Sequence, residues 1–193
     1  EKILEADWID PTAIAALLPP IGNGYQILGG PLTGGVSPLV MRDGTVRRAE
    51  ALLFDPAARE SRISGQDCHA GLLDGWMPMA HDQFSGGQAA FVYNVFVPVW
   101  ERGTQPSIYI RLAEIGAEGQ SQNERFWVAK GSDIQTLDRN VYWRDFVETV
   151  FHWMEYEAQL SLPHIPDAGI LRGVKGSLAL SHVIFGGEHP HYG

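Results

Sequence analysis

The sequence predicts a mainly β protein, an antiparallel β-sandwich followed by C-terminal helices. Two observations predict this class. Segments of alternating apolar residues follow one another with turns and no helical segments between them. From about residue 138 the apolar residues recur every three or four positions instead, which is the helical period. We therefore expect a sandwich with a short N-terminal helix over residues 1–137, and a linker helix plus the first helix of a helical domain over residues 138–193.

The first half of the chain predicts one short helix and one hairpin. Pro11–Leu18 is apolar on one face, and Asp10 can cap it. Two short strands then flank Asp43-Gly44, a pair that tolerates the positive φ angles of a type I′ turn. Ala51–Phe54 is expected to continue the second strand. These strands are expected at Pro38–Arg42 and Thr45–Ala49.

Three further strands are predicted in the second half of the sandwich. Gln88–Trp100 is apolar on both faces near its centre, as expected of a central strand. Ser107–Ile115 alternates Ile108, Ile110 and Leu112 against Tyr109, Arg111 and Ala113. The remaining strand is expected at Arg125–Lys130.

The C-terminal part predicts two helices. The first spans Asn140–Leu160, with Asp138 as its N-cap. Asp167 caps a second pattern that ends at Gly186-Gly187. The three glycines inside this second helix, Gly169, Gly173 and Gly176, predict close packing against an element that lies beyond residue 193.

Charge and cysteine content exclude several classes of partner and cofactor. Lys and Arg total 14 and Asp and Glu total 23, a net charge of −9. An acidic chain is a poor match for nucleic acid or anionic lipid, and no apolar run approaches the length of a membrane span. Cys68 is the one cysteine, which excludes an internal disulfide and a multi-thiolate zinc site. We expect no cofactor and no metal.

The segment around Trp76 is the candidate substrate-binding region. A tryptophan ring stacks on the C–H face of a sugar, while carboxylate and imidazole groups hydrogen-bond the hydroxyls. The alternative is that Trp76 closes an edge of the sandwich next to a turn. The candidate residues in this segment are Asp74, Trp76, His81 and Asp82.

Three other groups of polar side chains give weaker evidence for a functional site. His189 and His191 have the spacing of an H-x-H metal pair, but a metal site would need further ligands, so we assign them to a polar loop after the second helix. The adjacent Cys68 and His69 favour a loop thiol over a nucleophile, because sequence neighbours rarely form such a pair. The acidic residues that could form a catalytic carboxyl pair are Asp74, Asp82, Glu101 and Glu114.

Several short motifs resemble the domain junction of bacterial glycoside hydrolases with a six-hairpin, (α/α)₆ barrel, in which a linker helix joins an N-terminal β-sandwich to the barrel. The resemblance implies that the catalytic carboxylates lie on barrel loops beyond residue 193, so no catalytic residue is assigned. It also implies that the loop at 186–193 borders the substrate cleft, which makes His189 and His191 candidate substrate-binding residues. The motifs are Leu73–Pro78, Tyr142–Asp145 through Trp153, Leu162-Pro163 with Pro166-Asp167, Ser177–Ser181 and Gly186–Gly193.

The expected function is that of a non-catalytic N-terminal portion of a carbohydrate-active hydrolase, which supports the barrel and contributes a sugar-contacting loop. The expected partners are carbohydrate and the remaining helical domain or a second chain. The implied location is periplasmic or secreted, and a cytoplasmic one is also compatible with the sequence. Two alternatives stay open: a free-standing carbohydrate-binding, lectin-like module, and a structural sandwich subunit.

Overall fold

Two antiparallel sheets and two C-terminal helices make up the described part of the chain in this computed structural model. The structure describes residues 25–30, 32–33, 37–63, 68–86, 89–162 and 165–184. The helix predicted at Pro11–Leu18 and the predicted helix end at Gly186-Gly187 lie outside the described residues. The mainly β character and the C-terminal helices agree with the sequence-based expectation.

The smaller sheet has four short strands in the order β1-β2-β3-β4. Ala51–Phe54 is a separate strand rather than a continuation of the strand before it, because the chain reverses at Ala49, which has a positive φ of 51°. All pairs in this sheet are antiparallel. The strands are β1 Tyr25–Ile27, β2 Leu39–Met41, β3 Val46–Arg48 and β4 Ala51–Phe54.

The β2–β3 hairpin lies where the sequence predicts it, but its turn differs from the predicted type I′ turn. The loop contains Arg42 as well as Asp43 and Gly44, and within it only Gly44 has a positive φ, of 80°. The amide of Gly44 donates to the carbonyl of Met41, which closes the turn one residue early. Glycine is required at this position for a second reason, since a Cβ would lie 2.4 Å from Cζ of Phe84.

The larger sheet has the order β11-β10-β9-β8-β7-β5. Strand β6 also pairs with β7, along a different segment from the one that pairs with β5. The three strands predicted in this region are confirmed as β8, β9 and β10. Strand β7 is the main difference, because the sequence analysis treats this segment as a turn and a binding loop. The strands are β5 Cys68–His69, β6 Leu72–Leu73, β7 Met77–Gly86, β8 Ala89–Phe96, β9 Ile108–Ile115, β10 Ser121–Lys130 and β11 Asp133–Thr136.

One hydrophobic core contains side chains from both sheets. Alternate residues of the central strands point into it, as the period of two requires. The smaller sheet supplies Val40, Val46 and Phe54. The larger sheet supplies Phe84, Phe91, Tyr93, Val95, Ile108, Ile110 and Leu112 among others.

A second core lies on the opposite face of the larger sheet, where the two helices pack. Phe96 is at its centre, with its ring 5.4–5.6 Å from those of Tyr109, Tyr142 and Phe146. Trp153 is fully buried in the same cluster. The larger sheet therefore shares one core with the smaller sheet and a second core with the two helices.

Both predicted helices are confirmed with their caps. Helix α1 spans Arg139–Gln159, and the Asp138 carboxylate accepts from the amides of Asn140 and Val141. Helix α2 spans Ala168–Ile184, and the Asp167 carboxylate accepts from the amide of Ile170 at 2.9 Å. Neither helix of the described chain is long and apolar enough to cross a membrane.

Helix α2 packs back on the sheets of this chain. A Cβ on Gly176 would lie 3.7 Å from Cα of Trp76, and Val183 approaches Gly29 so closely that a Cβ there would lie 2.2 Å from its Cγ1. The predicted close packing is therefore found for Gly176 alone, within the chain at Trp76. Among the described residues, a Cβ on Gly173 would meet no atom within 4 Å, and one on Gly169 would approach only the side chain of Asp167. The absence of a side chain at Gly29 makes room for Val183 of α2.

Candidate functional site

The turn that carries Asp74 and Trp76 is held by a hydrogen bond between these two side chains. Asp74 and Gly75 both have positive φ, 53° and 73°, the conformation that was expected at Asp43-Gly44. The Asp74 carboxylate accepts from Nε1 of Trp76 at 3.1 Å. Only 1% of Trp76 is exposed, because α2 covers it and the Lys175 ammonium lies 5.8 Å from the ring centroid. In this arrangement the ring offers no face to a sugar, whereas Asp74 is exposed.

His81 and Asp82 are adjacent in β7 and therefore point to opposite faces of the larger sheet. Asp82 lies between the two sheets, where its Oδ1 accepts from Nε2 of Gln26 at 3.1 Å and from the amide of Gly71 at 3.0 Å. His81 lies on the helix-facing side beside Asn94. The structure thus separates two residues that the sequence analysis groups in one site.

Burial decides the chemistry of Asp82. The side chain is fully buried, which disfavours the charged form and raises its pKa to about 7, while the bonds from Gly71 and Gln26 partly oppose the rise. Its second oxygen, Oδ2, has no hydrogen-bond partner among the described residues. Asp82 is therefore a carboxyl group held in the core between the sheets rather than on a binding surface.

Cys68 and His69 do not form a nucleophilic pair. They are successive residues of β5, so Cys68 packs against the core between the sheets while His69 is exposed. Burial raises the pKa of the Cys68 thiol, and the nearby Asp82 raises it further. A thiol with a raised pKa is a poor nucleophile at neutral pH.

The helix-facing side of the larger sheet carries a buried polar row that the sequence analysis missed. His81, Asn94 and Arg111 are register partners on three adjacent strands. Nδ2 of Asn94 lies 2.7 Å from Nδ1 of His81, and Oδ1 of Asn94 accepts from Nη1 of Arg111 at 3.1 Å. Because the Arg111 bond fixes which end of the amide faces His81, Nδ1 of His81 accepts and its proton is on Nε2.

Arg111 is enclosed on all sides. Its Nη2 donates to Oγ of Ser121 and Oε1 of Glu124, both at 2.7 Å, and its guanidinium lies 4.9 Å from the Trp143 ring centroid. Glu124 in turn accepts from Arg139, the first residue of α1. This row joins four strands to the start of α1. A lone arginine on an apolar strand face is the sequence signal that could have revealed it, since a buried charge needs a partner.

In the described parts of the chain, no hydrogen bond links any two of the acidic residues considered for a catalytic carboxyl pair. Glu114 and Glu60 share Arg62, which forms bonds of 3.0 and 2.8 Å to them, in a groove of about 390 Å³. The bonds from Arg62 lower the pKa of Glu60 to about 2 and also lower that of Glu114. The general acid of a glycosidase needs a raised pKa, which is the opposite of the shift at these two carboxylates.

The outer surface of the helices carries two open grooves. The interhelical groove, of about 540 Å³, is lined by Met154, Glu157, Ala158, Leu160, Leu162, Ile165, Leu171 and Lys175. A second groove, of about 500 Å³, runs along α1 and is also lined by Val99. We call the α1 residues that line it the outer stripe: Arg144, Val147, Glu148, Phe151, His152 and Glu155.

The apolar pattern used to predict α1 thus covers two sides of the helix. The side that packs on the sheet buries Tyr142, Phe146, Val150 and Trp153, whereas 54% of Phe151 and 43% of Met154 are exposed. Apolar side chains on the solvent side of a helix are typical of a contact surface.

His189 and His191 lie outside the described residues. Within the described residues there is no group of three or more His, Cys, Asp or Glu side chains that could hold a metal ion. No protein-family model, no curated protein and no solved structure matches this chain. The case for a function therefore depends on the geometry above.

Proposed function

We propose that this chain is the non-catalytic N-terminal portion of a carbohydrate-active glycoside hydrolase, in which the two sheets form a β-sandwich and α1 and α2 begin a helical barrel. The observation that supports the proposal is the interhelical groove, which is largely apolar and open between two consecutive helices. Ile170, the residue before Leu171 of the groove lining, is 60% exposed. A further helix that packs here would cover both Met154 and Ile170.

The described residues suit a supporting role better than a catalytic one. Of the acidic residues considered for a catalytic pair, Glu114 is bound to Arg62 and Asp82 is buried between the sheets. The helices, by contrast, are firmly fixed to the sheet through the aromatic cluster around Phe96 and the salt bridge from Arg139 to Glu124. In the proposal, the sandwich holds the first barrel helices in place, and the catalytic carboxylates come from the barrel.

The test uses the complete gene product, assayed for release of reducing sugar from a panel of polysaccharides. We expect hydrolysis of at least one polysaccharide. A Met154→Asp and Ile170→Asp double variant should lower the melting temperature and the activity together, because two carboxylates would be buried at the contact. Leu52→Asp is the matched control, since Leu52 is equally exposed but lies on β4, away from the helices. A gene product without a helical barrel, or without hydrolysis of any polysaccharide, would contradict the proposal.

One observation favours the alternative of a free-standing carbohydrate-binding module. Trp100, on the turn after β8, has 43% of its surface exposed and is held edge-on by Tyr109 at 6.3 Å. An exposed and fixed tryptophan ring is suited to stack on a sugar. Under this alternative the chain binds glycans on an array, and Trp100→Ala weakens binding about tenfold or more while Leu52→Ala does not. An array without binding would count against it.

A further inference from the structure

The outer stripe of α1 has the features of a contact surface that is separate from the interhelical groove. Each of its residues has another member of the stripe three or four positions away, so together they form one face of the helix. Phe151 is at its centre and is more than half exposed. Val99 forms the opposite wall of the groove, and the neighbouring Trp100 extends the apolar surface. The surface is open on the side away from the sheet.

The residues of the outer stripe are arranged symmetrically about a point between Thr149 and Val150. Residues at equal distances from this point form pairs, and a two-fold axis through it would bring each residue opposite its pair in an antiparallel copy of the helix. The three pairs are Arg144 with Glu155, Val147 with His152, and Glu148 with Phe151.

Charge favours this antiparallel arrangement of two copies. Arg144 would lie opposite Glu155 of the second copy at both ends of the contact, whereas a parallel arrangement would place like charges together. Nε of Arg144 donates to Oδ1 of the buried Asp145 at 2.7 Å, which fixes the guanidinium while the side chain stays largely exposed. Phe151 would pack against Val147 and the aliphatic part of Glu148 of the second copy.

We infer that the outer stripe of α1 binds the same stripe of a second copy of this chain, in an antiparallel helix pair closed by two Arg144–Glu155 ion pairs. The inference does not depend on the proposed function, because the interhelical groove and the outer stripe use different residues of α1. It assigns a symmetric homodimer to a surface that the hydrolase proposal leaves free.

The experiment is sedimentation equilibrium of the 193-residue chain from about 1 μM to about 1 mM, a range that covers weak and moderate dimers. We expect a monomer–dimer equilibrium. Phe151→Asp should raise the dissociation constant at least about tenfold. Glu155→Arg should weaken the dimer because it places an arginine opposite Arg144. Glu118→Arg, on the exposed turn between β9 and β10, makes the same change in charge elsewhere and should have no effect.

Salt provides the readout that distinguishes this pairing from a nonspecific contact. In the unchanged chain, salt screens the Arg144–Glu155 attraction and should raise the dissociation constant. In the Glu155→Arg variant, salt screens a repulsion and should lower it. Arg144 is left unchanged in these tests because it also pairs with Asp145. A monomer throughout the concentration range, a dimer insensitive to Phe151→Asp, or the same salt response in both chains would overturn the inference.

Discussion

Replacing Arg111 by leucine is expected to lower the free energy of unfolding by about 3–5 kcal/mol, the typical cost of removing one partner from a buried charged network. The variant leaves Oδ1 of Asn94 without its donor in the core and removes the cation–π contact with Trp143. It also removes one of the two arginines that neutralise Glu124. Urea denaturation followed by circular dichroism measures the change.

Arg125→Leu is the matched control for this prediction. Arg125 lies on the neighbouring strand, pairs with Glu60 at 2.9 Å and lies 5.9 Å from the Trp127 ring centroid, so it has the same kinds of partner. It differs in being partly exposed, with 39% of its side chain open to solvent against 2% for Arg111, and ion pairs open to solvent contribute about 0–1 kcal/mol. Equal losses for the two variants would show that burial of Arg111 does not decide its contribution.

The free energy of unfolding is expected to depend on pH because Asp82 is buried, and Asp82→Asn should remove most of that dependence. The pKa of Asp82 is raised to about 7 in the folded chain, mainly by burial, against about 3.9 in the unfolded chain. Below about pH 4 both states are protonated, and folding carries no penalty. As pH rises to about 7 the unfolded state ionises first, so the free energy of unfolding falls, by up to about 4 kcal/mol.

The measurement is the free energy of unfolding of both chains between pH 4 and pH 8. Asparagine keeps an Oδ1 that can accept from Gly71 and Gln26 but carries no charge. The variant should therefore match the original chain near pH 4 and exceed it in stability at pH 8. Asp133→Asn, at an exposed position of β11, is the control and should leave the pH profile unchanged. A difference between original chain and variant that is constant with pH would contradict the prediction.

The parts of the fold that were predictable have local signals. Helix α1 was placed to within one residue at each end because Asp138 caps it and its apolar residues keep the helical period. The alternation in β9 placed Tyr109 and Arg111 on one face, and the structure confirms this, with Tyr109 in the second core beside the Arg111 row. The hairpin at Asp43-Gly44 was located correctly, although its turn type depended on Arg42 joining the loop.

Strand β7 and the site around it were not predictable in this way. The run His81, Asp82 and Gln83 is polar, and polar runs normally indicate a loop. These residues are buried in the middle of a ten-residue strand because His81 and Asp82 find partners on other elements, including Asn94 and Gln26. Likewise, the helix that covers Trp76 is formed by residues far along the chain, so the turn alone could not show whether the ring is exposed.

The strand order also bears on the synthesis of the chain. The strands of the smaller sheet are consecutive in sequence, so this sheet leaves the ribosome before any strand of its partner sheet. Until β7 and the strands after it follow, the inner face that carries Val46 and Phe54 lacks the apolar side chains of the larger sheet that complete its core. Its strands are only three or four residues long, and such short strands are poor templates for pairing with other chains. We therefore expect the smaller sheet of a nascent chain to have little tendency to aggregate before the larger sheet is synthesised.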